Sequence, residues 1–114
     1  MNIDQRIKEA LTPIIPEVQP DIYTGDAVEY IVWNYNLVPV IFADSTPDAA
    51  RYFVQVHMYL PSGVNPIQKR IDICRAMHTA GFTYPSVTNA SDKSGQHYVF
   101  ECEYTDGGVK HGRL

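Results

Sequence analysis

The chain has 114 residues, of which 45% are hydrophobic and 19% are charged, and its net charge at pH 7 is −4. This length and composition predict one folded domain with a substantial core, and they exclude a disordered chain. The negative charge argues against broad nucleic-acid binding, which needs a positive surface, and no apolar run approaches the roughly 20 residues of a membrane span.

The N-terminal residues predict an amphipathic helix. Asn2 or Asp4 is a suitable N-cap, and Pro13 and Pro16 predict that the helix ends near them. The apolar residues recur at helical spacing: Ile3, Ile7, Ala10, Leu11 and Ile14. Because this start is polar and periodic, it is unlike a secretion signal, and the two cysteines are expected to be free thiols in a reducing compartment.

A loop and then a strand-forming stretch follow the helix. Residues 17–27 contain turn-forming residues and predict the loop. Residues 28–43 are rich in β-branched and aromatic side chains, which favour strands. Because proline is rare inside a sheet, Pro39 predicts a division into a strand at 28–36 and a short piece at 39–43.

The clearest strand of the chain is predicted at residues 52–60, after a polar turn at 45–51. Side chains alternate between the two faces of a strand. One face therefore carries Tyr52, Val54, Val56, Met58 and Leu60. The other face carries Phe53, Gln55, His57 and Tyr59.

A second helix has clear start and stop signals. Asn65 is a suitable N-cap, Pro66 suits the first helical position, and Gly81 is placed to end the helix, with Phe82 as its hydrophobic contact. On a helical wheel the apolar residues span about half of the circumference, which predicts that all of them face the core. They are Ile67, Ile71, Ile73, Cys74, Met77 and Ala80.

The C-terminal part predicts two more strands. They lie at residues 83–89 and 96–104, and the second one directs Tyr98, Phe100, Cys102 and Tyr104 to one face. Residues 1–106 therefore predict a single α+β domain with the order α-β-β-β-α-β-β. We expect a mostly antiparallel sheet of four to five strands with two helices packed on one face. Residues 107–114 lack apolar periodicity and predict a flexible tail.

Cys74 and His78 are the strongest candidates for chemistry. They lie four positions apart on one helix face, a spacing that suits a zinc site or a nucleophile–base pair. The wheel places Cys74 inside the core-facing arc and His78 at its border, so core packing is the favoured interpretation. A metal-binding or enzymatic domain that uses these two residues, and His97, is the alternative.

Other candidate sites are weaker. His97 and Cys102 are five positions apart on one strand, so they point to opposite faces and cannot share a metal. Glu101 and Glu103 share a face with His97 and resemble an acid–base set, but alternating charge on a solvated or interface-facing strand is the simpler interpretation. We therefore predict no catalytic residue, no metal and no cofactor.

Four phrases carry a resemblance to a known family: YIVWNYNLVPVIFAD, RYFVQVHMYLPSG, AGFTYPS and TNASDKSGQHYVFECEY. Over residues 3–105 the chain resembles the tail terminator proteins of tailed bacteriophages, also described as tail-completion or head–tail joining proteins. The resemblance implies an α+β fold and a ring, typically a hexamer, at the head-proximal end of the tail. Such a ring stops growth of the tail tube and docks onto the head connector.

The implied partners are other copies of the chain, the tail-tube protein and the head connector proteins. DNA passes through such a ring without specific binding, and assembly in the host cytoplasm leads to a place in the virion, with no membrane partner. The resemblance implies no catalytic residues and no enzymatic activity. Another phage neck or minor capsid adaptor, or a generic ligand-binding α+β domain, are the remaining alternatives.

We expect this protein to act by binding other proteins through its surface. The eight tyrosines favour interface-forming strands. We expect six side chains on one sheet face to form subunit or lumen surfaces, in which a negative lumen would avoid adhesion to DNA: Gln55, His57, Tyr59, His97, Glu101 and Glu103. We also expect residues 43–51, 89–96 or 107–114 to contact the tail tube or the connector.

Overall fold

The computed structural model of the chain describes residues 2–41 and 47–106. The elements are α1 (Ile3–Leu11), β1 (Val18–Pro20), β2 (Tyr30–Ile41), β3 (Pro47–Leu60), α2 (Ile67–Thr79), β4 (Ser86–Asn89) and β5 (Gln96–Asp106). Within these two ranges the five strands form one sheet in the order β1-β2-β3-β5-β4, in which the β1–β2 pair is parallel and the other three pairs are antiparallel. This confirms the α+β class, and the order of helices and strands agrees with the predicted one, although two of the three strands between the helices differ in their residues. The predicted tail, 107–114, lies outside the described residues.

Helix α1 begins at a capping box. The amide of Gln5 donates to Asn2 Oδ1 at 2.8 Å, and the amide of Asn2 donates to Gln5 Oε1 at 3.1 Å. Asn2, one of the two predicted caps, is therefore the N-cap. The buried apolar residues of α1 are Ile3, Ile7 and Leu11. They pack into the same core as the inner side chains of β2, β3 and β5.

The predicted loop at 17–27 contains the short strand β1, so that prediction was wrong in part. The amide of Ile31 donates to the Glu17 carbonyl at 2.8 Å, and the amide of Asp21 donates to the Trp33 carbonyl at 2.8 Å. Strand β1 has only three residues and ends at a proline, so no alternating pattern marks it in the sequence. Strand β1 forms because its backbone hydrogen-bonds to β2.

The predicted break at Pro39 was also wrong, because β2 continues through it to Ile41. The Ile31 amide points toward β1, so the backbone groups of alternate residues, Pro39 included, point to that edge of the sheet. Strand β1 pairs only as far along β2 as Trp33. At Pro39 no strand of the described chain lies on that side, so no hydrogen bond is lost because proline has no N–H. Proline is tolerated at such an edge position.

Strand β3 begins at Pro47, so part of the predicted turn at 45–51 is strand, while residues 42–46 lie outside the described chain. Strands β2, β3 and β5 continue beyond Tyr52 and Tyr104, which still pack against the core. We call the part beyond them, residues 37–41, 47–51 and 105–106, the sheet extension. It contributes to an elongated molecule of 53 × 25 × 23 Å.

The ends of α2 lie at or next to the predicted signals. The start lies one residue later than predicted: α2 begins at Ile67, so Pro66 and not Asn65 is the N-cap residue. The Asn65 side chain still accepts a bond from the Ile67 amide at 3.0 Å. Gly81 has a φ of 102°, and the Phe82 amide donates to the Met77 carbonyl at 3.0 Å, which completes a Schellman motif. Phe82 is buried in the core as predicted.

The predicted core-facing arc of α2 is too wide. Ile73, Cys74 and Met77 are buried, whereas Ile67 is 59% exposed and Ile71 is 36% exposed. The sheet beneath α2 ends at the four-residue edge strand β4, so it covers only part of the apolar half of the helix. The uncovered side is an apolar surface of the molecule.

Candidate interaction surface

The sheet face opposite the helices carries all six predicted interaction residues. Alternation along β3 places Gln55, His57 and Tyr59 on this outer face, because Val54, Val56 and Met58 are buried on the other one. The register between β3 and β5 then places His97 opposite Tyr59, Glu101 opposite Gln55 and Glu103 opposite Phe53. The structure thus brings the six residues onto one face.

Five of the six residues contact one another. Gln55 Nε2 donates to Glu101 Oε2 at 3.1 Å, and His57 Nδ1 lies 2.9 Å from His97 Nε2. The ring of Tyr59 stacks on that of His97, with centroids 4.3 Å apart. The sixth residue, Glu103, directs its exposed side chain to the same face.

The stack of rings extends farther than the predicted set. Tyr30 stacks on Tyr59 at 4.7 Å, and Tyr23 stacks on Tyr30 at 4.0 Å. Tyr23 is fixed in place because its hydroxyl donates to Glu17 and accepts from the Ala27 amide. Strand alternation did not identify these two tyrosines, because their partners depend on the register between strands. The high tyrosine content was the signal in the sequence.

The two histidines of this face favour their neutral forms. Burial lowers the pKa of His57, the nearby His97 lowers it further, and Glu101 opposes the shift. Burial also lowers the pKa of His97, against the opposing effect of Asp92. One neutral ring donates its N–H to the unprotonated nitrogen of the other, so the pair acts as a cross-strand hydrogen bond at neutral pH.

A second candidate surface lies between α2 and β4, and the sequence did not indicate it as a surface. We call it the α2–β4 groove. Its volume is about 280 Å³, and its lining residues are Ile67, Arg70, Ile71, Cys74, Tyr84 and Val87. Tyr84 is 59% exposed, so with Ile67 and Ile71 it forms a contiguous exposed apolar patch.

Cys74 forms part of the floor of the groove and is buried, as predicted. Burial raises the pKa of its thiol, which disfavours the reactive thiolate. His78 is exposed, and its ring centroid lies 5.8 Å from that of Tyr84. Burial, with a smaller effect of the nearby Cys74, raises the pKa of Cys102 to about 12.

The described residues contain neither a metal-type cluster nor a helix that could span a membrane. No group of three or more His, Cys, Asp or Glu residues in 2–41 and 47–106 is arranged to hold a metal ion. In the same part of the chain, no helix has the length and apolar character needed to cross a membrane.

Comparisons with known proteins support the fold alone. No family model and no curated protein sequence matches the chain. The chain is similar to a solved structure of a protein whose name carries no functional description, with 11% identity over 90% of this chain and 88% of that chain and a TM-score of 0.54. At this identity the likeness shows a shared α+β architecture over nearly the whole chain and no particular function.

Proposed function

We propose that this chain is a structural assembly protein of the tail terminator kind. Copies of it form a ring, a hexamer in the virion, at the head-proximal end of a phage tail. The ring stops growth of the tail tube and joins the tail to the head connector. DNA passes through it without specific binding.

The observation that carries this proposal is a group of exposed apolar side chains in the sheet extension and directly beside it. Leu37 is 55% exposed, Val38 is 44% exposed and Phe53 is 38% exposed, and they lie on neighbouring strands. Large apolar side chains that share one end of a sheet favour contact with another protein. A small domain with such an end acts by binding, and the resemblance of its sequence to tail terminators indicates which partners it binds.

A second apolar surface supports assembly into a ring. The α2–β4 groove lies at the opposite edge of the sheet from β2, because β2 and β4 are separated by β3 and β5. Two different exposed apolar surfaces on one chain favour a head-to-tail contact between copies. Such contacts close into a ring when the rotation from one copy to the next divides a full turn.

The outer face of the sheet is the proposed lumen or subunit surface. Glu101 and Glu103 are exposed on it, and the net charge of the chain is negative. Negative side chains repel the phosphates of DNA. This charge favours free passage of DNA through the ring.

The test is deletion of the gene in the phage or prophage that encodes it. We expect overlong tails that fail to join heads, and normal tails after complementation with the intact gene. Tails of normal length that fail to join heads would instead indicate a neck adaptor. Normal infectious particles in the absence of the protein would overturn the proposed function.

A further inference from the structure

We infer that the open edge of β2 binds an extended segment of another tail protein by strand addition, and that a basic side chain of this segment enters an acidic pocket beside the edge. The segment lies in line with β1, beside Tyr35 and Leu37. This inference rests on the proposed function for the identity of the partner as a tail protein, and it names the chemistry by which that partner is recognised.

The open edge belongs to the part of β2 beyond Trp33. The Trp33 carbonyl accepts from the Asp21 amide at 2.8 Å, so the next odd-numbered residues of β2 direct their backbone groups to this same side. Strand β1 pairs with β2 only as far as Trp33, and no other strand within residues 2–41 and 47–106 pairs beyond it on this side. Tyr35 and Leu37 therefore each offer an N–H and a C=O to an incoming strand.

Strand β1 ends in a tight turn that directs the chain away from this edge. Asp21 has a φ of 63°, and the Ile22 amide donates to the Pro20 carbonyl at 2.7 Å. The Thr24 amide then donates to Gln19 Oε1 at 3.1 Å, so the chain doubles back beside β1. Within the described chain, the space in line with β1 is open beyond this turn.

A pocket with two carboxylates lies where the open edge begins. Its volume is about 390 Å³, and none of the residues that line it is basic: Asp4, Pro20, Asp21, Trp33, Asn34 and Tyr35. Asp4 accepts from Trp33 Nε1 and from Tyr35 Oη, each at 3.0 Å, and Asp21 is exposed. Because an ionised carboxylate has about four acceptor positions, Asp4 can still accept from a cation.

Both carboxylates act at the tip of Tyr35. Burial raises the pKa of Tyr35, and the hydrogen bond to Asp4 and the charges of Asp4 and Asp21 raise it further. Both carboxylates would attract a positive group at this place. A residue directly opposite Tyr35 in an added strand points to the same face of the sheet. Because a lysine or arginine side chain is about as long as tyrosine, its charged end then reaches the level at which Tyr35 contacts Asp4.

The next position on the same face favours an apolar residue. Leu37 is 55% exposed, so a side chain placed beside it covers apolar surface. The position between them lies beside Asn36, which is exposed on the outer face, and favours a polar residue. Strand addition obtains affinity from backbone hydrogen bonds and specificity from side-chain pockets. The recognised segment is therefore an extended run with a basic, a polar and an apolar residue in succession.

Two synthetic peptides test this inference on the isolated full-length chain. One contains Lys-Thr-Val-Thr-Val and the other contains the reverse sequence, because an added strand runs in either direction. Amide hydrogen exchange followed by NMR is the measurement. We expect one of the two peptides, at saturation, to slow exchange of the Tyr35 and Leu37 amides at least tenfold. The Ile31 amide, which already bonds to Glu17, should change little.

Charge variants test the acidic pocket. Asp21→Asn removes one carboxylate, and asparagine tolerates the positive φ of this position. We expect it to weaken binding of the lysine peptide at least threefold. The matched control, Asp26→Asn, removes an exposed charge outside the pocket and should leave the affinity unchanged. A peptide with glutamate in place of lysine should bind at least tenfold more weakly. Circular dichroism of each variant confirms that the fold is retained.

The outcomes separate the two proposals. Absence of protection at Tyr35 and Leu37 with both peptides, protection at Val87 and Asn89 of the β4 edge instead, or equal affinity of the lysine and glutamate peptides would overturn the strand addition while the proposed function stands. Protection at Tyr35 and Leu37, in a protein whose gene deletion leaves normal tails, would support the strand addition and overturn the proposed function.

Discussion

His57 Nδ1 and His97 Nε2 lie 2.9 Å apart across strands β3 and β5, which makes them a hydrogen-bonded pair of neutral rings on the outer face of the sheet. Two positive charges at this separation repel, and burial already lowers the pKa of both side chains below the usual 6.5. The pair is therefore sensitive to acid.

We expect the free energy of unfolding to decrease as the pH falls below about 6.5. Both pKa values are lower in the folded chain, so below that pH the unfolded chain binds more protons. The loss levels off below the folded-state pKa values, and this contribution is constant above about pH 7. Urea titrations at several pH values measure it.

The control for this prediction uses the exposed histidine of α2. His57→Gln combined with His97→Gln should flatten the pH dependence, and His78→Gln should leave it unchanged. A slope that persists in the double variant would show that other groups cause the acid sensitivity.

Asp4 connects α1 to β2, and we expect its loss to destabilise the fold. Its carboxylate accepts from Trp33 Nε1 and from Tyr35 Oη, each at 3.0 Å. Asp4→Ala leaves two partly buried donors without their partner and should cost about 2–4 kcal/mol of unfolding free energy. Glu9→Ala on the exposed side of the same helix is the control, with an expected change below about 0.5 kcal/mol. Equal effects would contradict the role of Asp4.

Local signals in the sequence were sufficient to predict both helices. Asn2, Asn65 and Gly81 each act within a few residues of their own position. The structure confirms Asn2 as a cap and Gly81 as a stop, and it begins α2 one residue later than Asn65 predicted. The face of each long strand was also predictable, because alternation is a property of one strand. These features account for the class of the fold and for the placement of the outer-face residues.

The features that the sequence did not predict depend on distant neighbours. Whether Pro39 ends a strand depends on the length of β1, and whether Ile71 is buried depends on how far the sheet extends beneath α2. The contact between His57 and His97 depends on a register across forty residues of sequence separation. No periodicity within one element contains this information.

The two thiols should react slowly in the folded protein. Burial raises the pKa values of Cys74 and Cys102, so the thiolate that attacks a disulfide reagent is scarce at pH 8. We expect the rate to rise at least tenfold in denaturant, and His78→Ala to leave the native rate unchanged. A fast native reaction that slows in His78→Ala would support the alternative in which Cys74 and His78 form an active pair.

Ile71 and Ile73 lie on the same helix, and we expect their truncation to have opposite consequences. Ile73 is fully buried, so Ile73→Ala should cost about 2–5 kcal/mol of unfolding free energy. Ile71 is 36% exposed in the α2–β4 groove, so Ile71→Ala should cost less than about 1 kcal/mol in the isolated chain. In the proposed ring, however, Ile71 lines the α2–β4 groove, one of the two surfaces that join neighbouring copies.

The Ile71→Ala variant should therefore reduce assembly while leaving the monomer folded. The measurements are thermal unfolding of the isolated chain and the yield of tails joined to heads when the variant replaces the intact protein in the phage. We expect Ile71→Ala to lower that yield severalfold, and Arg75→Ala, an exposed change on the same helix away from the groove lining, to leave it unchanged. An unchanged yield with Ile71→Ala would show that the groove is not a contact of the assembled ring.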